Sequence, residues 1–273
     1  MSNQSNPSPA YLFRRYLTRR LLRSVPSCRF LEIGVGSGKF YEELERRGFW
    51  GLCLDLNESL IQEHRQQRNS AETLLDFQST DFLLLEDQFE LIIAFEVLEH
   101  YEADWVCLRK WASLLSEGGI LIFSVPAHMR QWTRNDTQAG HARRYEKADL
   151  IRKLSATHFE LENLWCYGFP ILNLTYPLSA MLIKGGGNGD PTSPQNWADA
   201  CRPPVEPVAD RDSEGAKVYA TDFSRTSESG RRKFSYLASW FFQEWLWIPF
   251  LELQRMFLRT DLGTGYLVKC RKG

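Results

Sequence analysis

Leu31-Glu32-Ile33-Gly34-Val35-Gly36-Ser37-Gly38-Lys39-Phe40 leads from an apolar strand into three glycines at alternating positions, with an acidic residue two positions ahead of the first. Glycines so spaced let the backbone turn sharply and approach a ligand with no Cβ in the way, and the helix that follows points free N–H groups at it. The segment therefore reads as a cradle for a nucleoside-bearing ligand. The dinucleotide fingerprint places its third glycine three residues after the second, where this chain has Lys39, so a nicotinamide or flavin dinucleotide is disfavoured. Gly38-Lys39-Phe40 also lacks the hydroxyl that a phosphate-binding Walker loop uses to hold magnesium.

Further strands follow at regular intervals. Gly51-Leu52-Cys53-Leu54-Asp55 is apolar and ends in a carboxylate, at the place where a second-strand acid accepts hydrogen bonds from ribose hydroxyls. Leu74 to Asp81 reads as a third strand with Asp81-Phe82 at its end, Phe89 to His100 contains a fourth, and Glu117 to Pro126 a fifth. Helical stretches separate them, which is the pattern of an α/β fold with a parallel sheet and crossover helices. Standing alone, Asp55 could equally cap a helix beginning near Asn57, and Asp81 could be a solvated turn acid. Their common register behind the glycine loop favours ligand contacts.

On these residues the chain resembles the class I S-adenosyl-L-methionine-dependent methyltransferases, in the subgroup similar to the ubiquinone-biosynthesis O-methyltransferases. The resemblance runs from about Arg29 to Tyr167 and resumes over Thr264 to Lys272, and Glu96-Val97-Leu98-Glu99-His100 is its most subgroup-specific stretch. It implies a Rossmann-like, seven-stranded, mostly parallel sheet with helices on both faces and an antiparallel last strand. It also implies S-adenosyl-L-methionine as cofactor and S-adenosyl-L-homocysteine as product. By the same resemblance Glu32 sits behind the loop near the methionine end, with Gly34, Gly36 and Gly38 under the cofactor. Asp55, with Leu56 beside it, holds the ribose. Asp81 accepts the adenine amino group with Phe82 beside the ring, and Phe95-Glu96 line the methionine side. Glu90 and the Ser116-Glu117-Gly118-Gly119 turn depart from the family's usual residues without removing a cofactor contact. His100, at the top of a strand-to-helix loop, reads as a structural hydrogen-bonding residue.

A chain of 273 residues exceeds the minimal fold and is expected to be one domain with an insertion. The expected division is an N-terminal helix over the cofactor cleft in residues 1–28, a core in 29–168 and 262–273, and an insertion in 169–261. Tyr11 to Leu22 carries Arg14, Arg15, Arg19 and Arg20, which breaks the uncharged core of a signal peptide and makes the segment an amphipathic helix. A net charge of -1 argues against general nucleic-acid binding. The six cysteines form no close pairs and signal neither a zinc site nor a disulfide framework; no metal is required, and a reducing cytoplasm is the expected compartment.

The loop after the fifth strand faces the ligand side of such a sheet. His128 and His141 are the candidate bases for an acceptor hydroxyl, and Arg143, Arg144 and Tyr145 the candidate acceptor contacts. The alternative is that Gly140 to Tyr145 merely fixes the loop, with its arginines on local carboxylates. A helix is expected over about Lys147 to Ala156, a sixth strand over Phe159 to Tyr167, and a seventh over Tyr266 to Arg271.

Within the insertion Phe169 to Lys184 reads as an apolar helix, Gly185 to about Gly230 as a mobile loop, and Phe234 to Leu258 as an aromatic helix with basic flanks. The last is interrupted by Gln243, Glu244 and Pro249 and is not a membrane span. It either closes as a lid or packs on the sheet, or it rests at a membrane interface. The expected activity is methyl transfer to a small or lipid-linked acceptor, at oxygen. The competing readings are a non-catalytic cofactor-binding regulator and a membrane-recruited scaffold, and the sequence leaves the oligomeric state open.

Overall fold

The structure is a computed structural model that describes residues 8–68, 74–174 and 244–273. Seven short apolar segments become strands: β1 (Arg29–Ile33), β2 (Trp50–Leu54), β3 (Leu75–Gln78), β4 (Phe89–Phe95), β5 (Leu115–Pro126), β6 (Phe159–Tyr167) and β7 (Gly265–Lys272). They form one sheet in the order β3-β2-β1-β4-β5-β7-β6. Neighbours from β3 through β5 pair in parallel, whereas β7 runs antiparallel to both β5 and β6. Chain order reverses between β1 and β4, and in open α/β sheets the crevice beyond the strand ends at such a point is where ligands bind. The glycine loop leaves β1 there.

Alternation along each strand loads both faces with apolar side chains, which is why the strands read as near-continuous hydrophobic runs. Phe30, Cys53, Phe77, Leu91 and Ile122 face one layer, and Leu31, Leu52, Ile92 and Phe123 the other. The first layer is covered by α1 (Pro9–Leu21), α2 (Tyr41–Arg46) and α3 (Glu58–Gln67), through residues such as Phe13, Leu17, Leu44 and Ile61. The second is covered by α4 (Asp104–Leu114) and, beyond the short α5 (Arg134–Gln138), by α6 (Lys147–Ala156), through Leu108, Trp111, Leu150 and Leu154. Helix starts follow the capping residues: Ser8 accepts the Tyr11 N–H at 3.2 Å with Pro9 opening α1, and Asn57 accepts the Leu60 N–H at 3.2 Å at the head of α3.

The described part of the aromatic segment forms α7 (Glu244–Gln254), which packs on α1. Trp247 and Leu251 are buried in the same core as Phe13, and the Phe13 and Trp247 rings meet edge to face with centroids 5.9 Å apart. Ile248, Phe250 and Met256 are exposed instead, at 52%, 42% and 76%. Trp247 and Leu251 thus belong to the core, whereas these three side chains do not. The expected mobile loop, the apolar helix beyond Leu174, and Trp240, Phe241 and Phe242 lie outside the described residues. Among the described residues no helix is long and apolar enough to cross a membrane.

The close pairing of β1 and β2 depends on Gly51. A Cβ at that position, where φ is +155°, would stand 1.9 Å from the Phe30 carbonyl oxygen. Gly118, at φ +70°, has open space where a Cβ would stand, with nothing within 4 Å. Chemical denaturation should therefore show Gly51→Ala losing more than about 3 kcal/mol, beyond the usual point-mutant range. Gly118→Ala should lose only the left-handed backbone cost of about 1–2 kcal/mol. Equal losses would contradict this packing account.

Candidate functional site

The glycine loop is held from beneath by β2 and α3. Gly34 and Val35 donate their N–H groups to the Leu54 carbonyl at 2.8 and 3.0 Å, which ties the loop to the end of β2. Asp55 then accepts the Gly36 N–H on one oxygen and the Asn57 N–H on the other, both at 2.9 Å. His64 bonds the Gly36 carbonyl through Nε2 at 3.0 Å and Tyr41 Oη through Nδ1 at 2.9 Å. A carbonyl only accepts, so Nε2 carries the proton and Nδ1 accepts from the tyrosine. Burial lowers the His64 pKa, consistent with that neutral tautomer. Sequence reading missed His64, because a lone histidine in a polar helix carries no motif.

The three glycines are small for different reasons. Val97 would lie 2.8 Å from a Cβ on Gly34, and the Tyr11 ring 2.6 Å from one on Gly38. Gly36 sits at φ +55°, and a Cβ on it would meet only the Gly34 carbonyl, at 3.9 Å. Open space therefore lies over the middle of the loop, where a ligand can approach the backbone.

Carboxylates surround this space. Glu32 is 2% exposed, and its Oε2 is buried with no hydrogen-bond partner. Burial pushes its pKa up to about 8, against a lowering hydrogen bond from the Tyr41 backbone. Glu96 stands at φ +55° after β4, accepting from Ser124 Oγ at 2.7 Å and pairing with Arg14 of α1 at 3.1 Å. Arg14 also lies over the Phe95 ring, 5.4 Å from its centroid, and Tyr11 donates its hydroxyl to the Gly38 carbonyl. Helix α1 is thus fastened directly to the loop and to Glu96.

Asp81 accepts the Leu83 N–H at 3.0 Å and starts the 3-10 turn Phe82–Leu84. Its carboxylate, like that of Asp55, meets the local turn contact anticipated for it and has acceptor capacity left over. Phe82 is buried at 2% exposure against Tyr101 and Trp111, with centroids 5.5 and 5.9 Å away, so it supports the Asp81 turn from within the core. Leu56 is 38% exposed at the crevice edge.

The loop after β5 is built around two buried aspartates. Asp136 is gripped by Arg144 at 2.8 and 2.9 Å, by Thr133, and by His141 Nδ1 at 3.0 Å. Burial alone would raise its pKa, but the His141, Arg144 and Thr133 hydrogen bonds outweigh that and hold it well below the usual carboxylate range. Asp104 receives Arg143 at 3.1 Å, Lys153 at 2.9 Å and the Tyr145 hydroxyl at 2.9 Å. Arg143, Arg144 and Tyr145 therefore direct polar atoms onto local carboxylates, the loop-fixing alternative that the sequence left open.

His141 is oriented by Asp136. Asp136 accepts from Nδ1–H, which leaves the Nε2 lone pair facing Glu99 Oε1 at 3.8 Å. Glu99 is fully buried with neither carboxyl oxygen hydrogen-bonded, and burial beside Glu96 pushes its pKa well up. The His100 ring packs edge-on to His141 with centroids 4.9 Å apart, and burial and His141 lower its pKa. One ligand atom from each of Glu99, His100 and His141 falls within 4.8 Å of the others, a grouping that could hold a cation. In the sequence Glu99 is one residue of the Glu96 to His100 motif, and its burial is not legible there. His128 is turned away from this group: it is 3% exposed, with Nδ1 on Glu146 at 3.2 Å and Nε2 3.6 Å from Asp261.

Comparisons with known proteins fit this geometry. The ubiquinone biosynthesis O-methyltransferase of Xanthomonas campestris pv. campestris (strain B100) is 30% identical over 135 residues, 48% of this chain and 53% of that protein. That of Bradyrhizobium diazoefficiens is 27% identical over 107 residues, 38% of this chain and 42% of that protein. The chain thus spans about half the length of these curated relatives. Among solved structures, a protein assigned as a sarcosine dimethylglycine methyltransferase from Galdieria sulphuraria superposes with a TM-score of 0.55 at 13% identity, covering 96% of this chain and 85% of that one. The [4+2]-cyclase SpnF superposes with a TM-score of 0.53 at 15% identity, covering 94% and 80%. At such identities these structures show the fold alone. The methyltransferase-domain family profile matches residues 8–165, more than half the chain, and the chain belongs to that family.

Proposed function

We propose that this chain is an S-adenosyl-L-methionine-dependent methyltransferase acting at oxygen on a small or lipid-linked acceptor. The observation that carries the reading is Gly36, its N–H held by Asp55 and its carbonyl by His64, with open space above, at the point where the sheet changes direction. The buried, unpartnered Glu32 oxygen next to it fits a ligand that brings its own donor, such as the ammonium of a methionine moiety. The names of the relatives, ubiquinone biosynthesis O-methyltransferases, support oxygen as the acceptor atom.

When bound, the cofactor supplies a methyl group already activated on a sulfonium and leaves as S-adenosyl-L-homocysteine. The protein's part is to align the acceptor, exclude water and receive a proton. Asp55 keeps an acceptor lone pair for a ribose hydroxyl, and Asp81 one for the adenine amino group. Glu96 and Phe95 border the methionine side, where Arg14 neutralises Glu96. His141 Nε2 takes the proton of the acceptor hydroxyl as the new carbon–oxygen bond forms, and ionised Asp136 stabilises the resulting imidazolium. The exposed apolar side chains of Ile248, Phe250 and Met256 on and after α7 support a peripheral contact with a lipid surface. Flotation of the full chain with anionic vesicles, lost on replacing these residues with serine, checks that contact.

Incubation with methyl-labelled S-adenosyl-L-methionine and cell lipid extract should yield S-adenosyl-L-homocysteine and a labelled product. His141→Ala should lower kcat by about 10²–10⁴, the usual contribution of a positioned base, with cofactor affinity little changed. A cofactor affinity that falls in parallel with turnover would make His141 structural, and the absence of any S-adenosyl-L-homocysteine would overturn the enzymatic reading.

Glu32 gives the pH dependence. Its folded pKa of about 8 exceeds the ordinary 4.5, so between those values the folded chain keeps a proton that the unfolded chain has released. Its contribution to stability is therefore full below the lower value and declines as pH rises through the upper one. Urea midpoints measured across this window should fall with pH in the native protein and flatten in Glu32→Gln; identical slopes would show that Glu32 is ionised in the fold.

A further inference from the structure

Three segments far apart in sequence converge beyond the ends of β5, β6 and β7. His128 follows β5, Cys166 lies at the end of β6, and Asp261 precedes β7. One ligand atom from each, an imidazole nitrogen, the thiol sulfur and a carboxylate oxygen, lies within 4.8 Å of the other two. His128 and Cys166 are buried at 3% and 2% exposure, whereas Asp261 is 46% exposed and marks the side open to solvent.

Each group is already turned for coordination. Glu146 accepts from His128 Nδ1 at 3.2 Å, so the proton is on Nδ1 and Nε2 carries a free lone pair. That Nε2 atom is buried and has no hydrogen-bond partner, a costly state unless something else occupies the lone pair. It faces Asp261 Oδ1 at 3.6 Å, close to the ~3.4 Å that separates nitrogen and oxygen ligands around a tetrahedral zinc ion. A carboxylate behind a ligating histidine is the usual orienting partner in zinc sites. The Gly263 N–H donates to Cys166 Sγ at 3.1 Å, a contact that stabilises a thiolate, and the Tyr266 hydroxyl donates to Asp261.

We propose that His128, Cys166 and Asp261 form a binding site for a thiophilic divalent cation of the zinc type, with water as the fourth ligand on the Asp261 side. Binding displaces the Cys166 thiol proton to solvent and forms the sulfur–metal bond without any change of oxidation state. The ion clamps the acceptor-side loop to the strand pair at the sheet edge. It is separate from the Glu99, His100 and His141 group and does not depend on the methyl-transfer reading.

Cobalt(II) is the probe. Titrated into the full chain after chelator treatment, it should produce a thiolate-to-cobalt charge-transfer band saturating at one equivalent. Cys166→Ser should abolish that band with the circular dichroism of the fold retained. Glu146→Gln, an exposed change that leaves the three ligands in place, should weaken binding by about 10–100-fold. His141→Ala should leave the band intact. No charge-transfer band in the native chain, a band that survives Cys166→Ser, or one lost in His141→Ala would overturn the proposal. If Cys166→Ser does not fold, an unchanged cobalt affinity in Glu146→Gln would overturn it equally.

Discussion

The fixed backbone of Gly36 is the constraint around which the site is arranged. Its N–H is held by Asp55 from the end of β2, and its carbonyl by His64 from α3. The histidine is in turn set by the Tyr41 hydroxyl from α2, so three separate elements fix the two peptide groups that flank one glycine. A loop held this way keeps a left-handed glycine in place and leaves the space above it clear. The cost of ordering a flexible glycine segment is thereby met in the folded protein rather than at each binding event.

The buried acids divide into two kinds. Asp104 and Asp136 are surrounded by cations and hydroxyls, which makes the loop after β5 a rigid frame and leaves His141 oriented within it. Breaking such a buried pair leaves an uncompensated charge, so these arginines are poor candidates for a mobile substrate clamp. Glu32 and Glu99 have no cation of their own and are pushed toward the neutral form by burial. Acids left in that state are poised to respond to a cationic or hydrogen-bonding ligand, whereas paired acids are not.

The succession of strands and helices, including α6 from Lys147 to Ala156, was legible in the sequence, because glycine spacing and apolar runs are local signals, and the antiparallel β7 was implied by the family resemblance alone. Long-range relations were not. Nothing near His64 announced that it reaches Gly36, 28 positions away, and nothing near Arg14 announced its pairing with Glu96. Phe82 belongs to the core with Trp111, a partner that periodicity cannot name. The convergence of His128, Cys166 and Asp261 is likewise invisible to spacing rules, which find metal ligands only when they cluster along the chain. Arg143 and Arg144 were ambiguous for a physical reason: a basic run before a helix serves equally as a substrate clamp or as a partner for local carboxylates, and only the positions of Asp104 and Asp136 decide.

In the proposed function a cofactor rests on the Gly34–Gly38 loop without rearranging it. Amide hydrogen exchange with and without S-adenosyl-L-homocysteine measures this, because buried or ligand-covered amides exchange slowly. Added protection is expected in residues 34–39 and at the crevice end of β4, with the β6 and β7 edge unchanged. Protection spread evenly over the chain, or none in the glycine loop at saturating ligand, would contradict it.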